Sequence, residues 1–521
     1  MVYKIKEIYK LNKDKEFKYD TNIQSFVNAA NILKQSINNH NLALIQGPPG
    51  TGKTSLYEFL LQDQKIWDLL EQDNEVVVYI APTNKLVADM LTKVSKYFPN
   101  ENDFKESVRV YGSQFDYSEF SQLRKELNDK VKLVLTTDYQ KIFITLSESL
   151  RRFHLLIDEA SKSPLHREFT PIVDALLTKG KKVLGSLNIV GDPMQAISLI
   201  EPYRINKAEY LLMQKVLLKL YCMQYSDKCS DSKNNNFPQV MDYIYQEIAQ
   251  GRNPLHSNYV FLDITKRLPN PAHKIISEAY YGGNLKSMKE LKIGDYEENM
   301  LQKFKNDYDD TIKAIANNAE EALSTNRIGI YHEIKEQSYK DPEGDLYDEN
   351  RATIAAYYAV LLSSVTDKHT TITAPYVEMS IQIEMKVKEL ISKYNLNSLK
   401  DQINVSTVQS MIGGEDENVI AVLGKEYVVH SEELWPTIYF MEPELLNVQL
   451  SRQKSLLVII GDLGLLRSSV NRHSKENSEL KSLKKVIENV AELAGIELGG
   501  EIKTRIKVTD RSKYLVYYRK R

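Results

Sequence analysis

The chain has 521 residues, 42% of them hydrophobic and 26% charged. That length is several times a small binding module and the composition is that of a packed globule, so two core domains with insertions are expected and disorder throughout is excluded. Sixty-eight Lys plus Arg against 70 Asp plus Glu leave a formal charge of −2, so any nucleic-acid binding has to rest on local basic patches rather than on a global positive field.

Cys222 and Cys229 are the two cysteines. They exclude a disulfide scaffold, their spacing is not that of zinc ligands, and they fit a reducing compartment; no structural zinc is expected. The N-terminal MVYKIKEIYKLNKDKEFKYD is charged throughout and lacks the apolar core of a signal peptide, and the apolar run Leu456–Ile460 is only strand length. The expectation is an intracellular, cytoplasmic protein, with the nucleus as the alternative in a eukaryotic host, and no membrane partner.

In chain order, short apolar runs begin at Leu42 (LALIQ), Val76 (VVVYI), Lys132 (KLVLT), His154 (HLLI) and Leu187 (LNIVG), with helical patterns between them. Unbroken apolar runs mark strands covered on both faces, which predicts a parallel sheet with crossover helices. A second series begins at Thr371 (TITA), Ile403 (INVST), Asn418 (NVIAVL) and Leu456 (LLVIIG). The predicted fold class is therefore α/β with two tandem parallel-sheet domains. An N-terminal extension covers 1–23, the first domain 24–262 with an insertion around 200–258, the second 263–470, and a basic C-terminal extension 471–521. Ser226–Pro238 and Lys340–Asn350 are polar and turn-rich and read as surface loops. The end of the chain reads as an amphipathic helix, Leu480–Ala494, followed by a hairpin. Eight basic residues and one acid lie between Lys503 and Arg521, which suits either a solvated edge or a phosphate-contacting patch.

Directly after LALIQ comes GPPGTGKT, Gly47 to Thr54, and then a helical stretch. The glycines Gly47, Gly50 and Gly52, with Pro48, Pro49 and Thr51 between them, let backbone N–H groups close around phosphates at a helix N-terminus. Lys53 is expected on the β and γ phosphates of a nucleoside triphosphate, and the Thr54 hydroxyl on Mg²⁺; alone the motif says only NTPase. A second acidic station is needed at the end of a neighbouring buried strand, and FHLLIDEAS supplies Asp158 for the metal and Glu159 to take a proton from the attacking water. Gln195, in GDPMQ, is placed to donate to the γ-phosphate.

GPPGTGKT, APTN at Ala81, DEAS at Asp158 and GDPMQ at Gly191, in that order, resemble superfamily 1 helicases, and within them the branch of the nonsense-mediated-decay helicase and senataxin. The resemblance runs from about Gln24 to Asp462. It implies two RecA-like domains, ATP between them and single-stranded RNA or DNA across the top. DITKRLPNPAHKIISEAYYGGNL from Asp263 is similar to the family's arginine-bearing motif and implies Arg267 as one arginine finger. LLNVQLSRQKSLLVIIGD from Leu445 resembles the last motif and implies Arg452 as the second. VSTVQSMIGGEDENVI keeps Gly413 and Glu415, the glutamate being expected on the ribose. Gln24 stands for the adenine-reading glutamine at a spacing longer than usual, and Lys266 replaces the family's adenine-stacking aromatic. Ile412 and Gly414 depart from the motif that they occupy. By the same resemblance Pro82, Thr83, Asn84, Thr136 and Thr137 contact the strand on the first domain, and Pro375, Tyr376 and Thr407 on the second.

The reading is an ATP-dependent helicase or translocase, 5′ to 3′ by analogy, working as a monomeric motor with a protein partner to supply unwinding or targeting. The alternative is an ATP-dependent clamp or scaffold that grips nucleic acid or a partner without stepping. A P-loop kinase or GTPase explains neither arginine.

Overall fold

Val, Ile and Leu in unbroken runs are stable only where helices cover both faces of a strand, and both units of the chain are built this way. The computed structural model describes residues 2–10, 21–39, 42–98, 100–137, 152–160, 184–195, 259–290, 293–334, 346–411, 414–430, 433–441, 443–473 and 478–497. The insertion expected around 200–258, Cys222, Cys229, Ile412, Gly413 and the basic hairpin lie outside them. The chain divides into Met1–Ile264 and Thr265–Arg521.

The first unit carries a seven-stranded parallel sheet. Its strands are β1 (Leu42–Gln46), β2 (Val76–Ala81), β3 (Val108–Tyr111), β4 (Leu133–Thr137), β5 (Phe153–Asp158), β6 (Leu184–Gly191) and β7 (Tyr259–Phe261). They lie in the order β3-β4-β2-β5-β6-β1-β7. Three helices matter for the site: α1 (Gln24–Asn38), α2 (Lys53–Leu61) and α3 (Asn84–Ser95). Leu56, Tyr57, Leu60 and Leu61 of α2 and Val87, Met90 and Leu91 of α3 are buried in one core with Val77 and Tyr79 of β2.

The second unit has a five-stranded parallel sheet, β8 (Gly329–Glu333), β9 (Thr370–Ala374), β10 (Ile403–Thr407), β11 (Asn418–Val422) and β12 (Leu457–Gly461), in the order β8-β12-β11-β9-β10. Helices α4 (Lys274–Tyr280), α5 (Glu349–Thr366), α6 (Val377–Lys393) and α7 (Ser478–Ala494) belong to the same unit.

Three expectations need correction. The strand bearing Asp158 is not the neighbour of the one leading into GPPGTGKT, because β6 lies between β1 and β5. The surface-loop reading of Lys340–Asn350 fails at its end. Glu349 and Asn350 open α5, and Asp348 is fully buried, capping it through a 3.1 Å bond from the Arg351 N–H and lying 3.5 Å from the buried Arg351 guanidinium. The helix assigned to a C-terminal extension is a core element: Leu480, Leu483, Val486, Ile487 and Val490 of α7 are buried, and a Cβ at Gly329 of β8 would come within 2.7 Å of Leu493.

Candidate nucleotide-binding site

β1 delivers the chain into the glycine loop, and the Gly47 N–H is pinned to the carbonyl of Gly191, at the end of β6, at 2.9 Å. Gly50 and Gly52 have φ of +73° and +87°, a region that side chains disfavour. Pro48 and Pro49 are buried, and the Thr51 hydroxyl donates to the Pro48 carbonyl at 2.8 Å. The loop ends at the N-terminus of α2, whose first residue is Lys53. Backbone N–H groups at such a junction form an anion site. A Cβ at Gly47 would sit 2.3 Å from Lys53 Cγ, so the lysine stem lies across that glycine. Lys53 is buried; its Nζ donates to the Gly47 carbonyl at 2.8 Å and lies 3.5 Å from Glu159 Oε1.

Asp158, at the end of β5, is fully buried. Its Oδ2 accepts from the Thr54 hydroxyl at 3.1 Å and from the Tyr79 hydroxyl at 2.8 Å, while Oδ1 accepts from the Glu159 N–H at 2.9 Å. Although β6 intervenes in the sheet, α2 leans over both strands: the Tyr57 hydroxyl donates to the Ile157 carbonyl at 2.8 Å and the Asn188 carbonyl at 3.0 Å. Burial, then the Glu159 charge, push the Asp158 carboxyl upward against Tyr79, Lys53 and Thr54. Glu159 has φ +51°, a strained conformation for a non-glycine residue at a strand end.

Gln195 is buried in the short turn Pro193–Gln195, and its amide donates to Asp192 Oδ2 at 2.6 Å. The amide that the sequence aims at a γ-phosphate is thus held by the neighbouring aspartate. Gln24 is exposed at the first position of α1 and donates to Asn28 Oδ1 at 2.8 Å. Two residues on, Phe26 is buried edge-on to Phe59, their centroids 5.8 Å apart.

Thr54 and Asp158 fit Mg²⁺. A hydroxyl and a carboxylate converging at 3.1 Å are hard oxygen donors, and Mg²⁺ takes one or two protein oxygens together with phosphates and water. Among the described residues no cluster of three or more His, Cys, Asp or Glu side chains offers an all-protein cage.

In the second unit, Arg267, Glu415, Arg452 and Lys454 come together. Arg267 Nε donates to Glu415 Oε2 at 2.7 Å and Nη1 to the Ser451 carbonyl at 3.3 Å. Lys454 Nζ lies 2.8 Å from Glu415 Oε1. Burial pushes the Glu415 carboxyl up, but Arg267 and Lys454 outweigh it and hold it down at about 2. Arg452 is buried, donating to the Val448 carbonyl at 2.9 Å, the Gly414 carbonyl at 3.2 Å and the Ser451 hydroxyl at 3.3 Å. The two loops are zipped by backbone bonds: the Asp416 N–H to the Arg452 carbonyl at 3.0 Å and the Lys454 N–H to the Asp416 carbonyl at 2.8 Å. These extend the β11–β12 pairing, so the sheet itself brings Glu415 and Lys454 together. Lys454 has no place in the sequence reading, because its partner is fixed by strand register.

The residues expected on a nucleic-acid strand are less uniform. Thr83 is exposed and caps α3 through a 3.3 Å bond from the Leu86 N–H, with Pro82 and Asn84 half-buried beside it. Thr136 and Thr137 are buried at the end of β4, the Thr136 hydroxyl donating to the Thr137 carbonyl at 3.1 Å. Neither side chain is exposed, because β4 lies between β3 and β2. Register pairs Ala374 with Thr407, so Pro375, Tyr376 and Thr407 share one end of the second sheet. Pro375 is buried and Tyr376 and Thr407 are half-buried; the Tyr376 hydroxyl accepts from the Lys425 N–H at 3.2 Å.

A glycine loop feeding a helix, a buried lysine, and a hydroxyl–carboxylate pair at the carboxyl ends of a parallel sheet define a P-loop NTPase. The DEAD/DEAH box helicase family model matches residues 27–190 and an AAA domain model matches residues 244–464. The chain is 22% identical to DNA polymerase alpha-associated DNA helicase A of Saccharomyces cerevisiae, covering 88% of this chain and 68% of that protein. It is 22% identical to the Schizosaccharomyces pombe protein of the same name, covering 82% of this chain and 62% of that one. The chain thus spans about two-thirds of the length of these curated relatives. Among solved structures, S. cerevisiae Dbp5 bound to RNA and ADP BeF3 matches with a TM-score of 0.36 and 10% identity over 91% of both chains. The two models and the two relatives bear out the resemblance to superfamily 1 helicases and mark the chain as a helicase-class ATPase.

Proposed function

We propose that this protein hydrolyses ATP to move 5′ to 3′ along single-stranded RNA or DNA, as a monomeric motor that takes a protein partner for unwinding or targeting. One observation carries the reading: the polar and charged groups that phosphoryl transfer needs are divided between the units. Lys53, Thr54, Asp158 and Glu159 belong to the first, and Arg267, Glu415 and Arg452 to the second.

Backbone N–H groups of Gly47–Thr54 and the Lys53 ammonium bind and orient the triphosphate. Thr54 and Asp158 hold Mg²⁺, which when bound neutralises phosphate charge. The Glu159 carboxylate accepts the proton of the attacking water. Arg267 and Arg452 meet the charge that spreads over the γ oxygens, and Glu415 takes the ribose hydroxyls. Because neither half-set suffices, turnover requires the units to close on one triphosphate, and phosphate release lets them part. Pro82, Thr83, Asn84, Pro375, Tyr376 and Thr407 then hold the strand alternately, with Tyr376 stacking a base. Thr136 and Thr137, buried at the end of β4, are not among these grips.

The test is ATP turnover by the purified protein with and without single-stranded RNA or DNA, followed by displacement from substrates with a 5′ or a 3′ overhang. Strong stimulation and 5′-overhang dependence are expected. ATP-dependent strand binding without stimulated turnover would instead mark the clamp.

A further inference from the structure

Tyr79 stands in the middle of VVVYIA, where every residue of β2 is buried and an aliphatic side chain would serve the core as well. It is a phenol with 0% exposure, and its hydroxyl donates at 2.8 Å to Oδ2 of Asp158. A buried tyrosine hydroxyl needs a partner, and here that partner is a carboxylate rather than a main-chain oxygen. The neighbouring ring makes the contrast: Tyr57 lies edge-on to Tyr79 with centroids 5.9 Å apart, and its hydroxyl donates to the main-chain carbonyls of Ile157 and Asn188.

The donors around Asp158 differ in what else they do. Glu159 offers its backbone N–H to Oδ1, a contact that any residue at that position supplies. Thr54 shares Oδ2 but is itself assigned to the metal. Tyr79 is the side chain whose hydrogen bond to Asp158 serves no ligand, and it sits on β2, the strand paired directly with β5. Groups that fix the orientation of a metal-holding carboxylate in this way typically contribute about 10- to 100-fold in metal affinity.

We infer that Tyr79 is a positioning residue: through its hydroxyl it sets the orientation in which Asp158 holds Mg²⁺. The inference rests on the proposed role of Asp158 and goes beyond it in giving the site a determinant on β2 that no motif contains.

The test is a Mn²⁺ titration, followed by electron paramagnetic resonance, of the full-length protein with a non-hydrolysable ATP analogue. Tyr79→Phe keeps the ring and its contact with Tyr57 and removes only the donor. Its half-saturating Mn²⁺ is expected to rise by about 10-fold, with affinity for the analogue in excess EDTA unchanged. Should that variant not accumulate as folded protein, as judged by a cooperative melt, Tyr79→Met lacks the donor too and is titrated in the same way. Unchanged Mn²⁺ affinity in a folded donor-less variant would overturn the inference. So would an equal shift in Tyr57→Phe, since loss of any buried hydroxyl would then suffice. Asp158→Asn separates the two levels: if it leaves Mn²⁺ binding untouched, the assignment of Asp158 is at fault, whereas if it weakens binding and Tyr79→Phe does not, only the role of Tyr79 falls.

Discussion

Arg452 illustrates how a side chain can be tied into its own unit and still be assigned to a reacting phosphate. Its guanidinium donates to two main-chain carbonyls and a hydroxyl of its own unit. Arg452→Ala is therefore expected to act twice. Turnover falls by at least about 10³-fold, the loss of a finger, while ATP affinity stays nearly intact. The melting temperature also falls, because the buried Val448 carbonyl loses a donor at a cost of about 1–3 kcal/mol. Steady-state kinetics beside a thermal melt measures both, and a loss of turnover of only a few-fold would remove Arg452 from the chemistry. Lys53 is organised differently, since its two contacts, Gly47 O and Glu159, both belong to the set proposed to handle the triphosphate.

Elements divide by how much of their environment is local. The interior strands β2, β4, β5, β11 and β12 are readable from the sequence because a strand covered on both faces is apolar at most of its positions. β3 (VRVY) and β8 (GIYHE) lie at sheet edges and are short runs interrupted by polar residues, so their sequences do not announce them. The αL glycines and the lysine of GPPGTGKT were legible too, since a phosphate loop is a local structure. Asp348 was not: its buried partner Arg351 is satisfied in turn by Glu426, at 2.9 Å, far along the chain. Helix α7 was legible as an amphipathic helix, but not as part of the core. Ile487 is fully buried in it, so Ile487→Ala is expected to destabilise the protein by about 2–5 kcal/mol, read as a drop in the denaturant midpoint. A loss under about 0.5 kcal/mol, the range of surface substitutions, would show that α7 is peripheral.

At the scale of the whole molecule the proposal makes ATP the bond between two units. A non-hydrolysable analogue with single-stranded nucleic acid is therefore expected to reduce the radius of gyration in small-angle X-ray scattering, and Lys53→Ala to abolish that compaction. Equal radii with and without nucleotide would count against a closing motor. The sequence by itself determined the class: strand, glycine loop and helix order, two apolar strand series and the acidic strand end are all set by neighbours within a few residues, which the linear chain displays. Only the tertiary structure decided that β6 separates the phosphate loop from the acidic strand, that Thr136 and Thr137 are buried, that Lys454 joins Arg267 at Glu415, and that the Tyr79 hydroxyl reaches Asp158. Each of these depends on which strands lie side by side and in what register, a property of long-range packing that spacing along the chain does not encode.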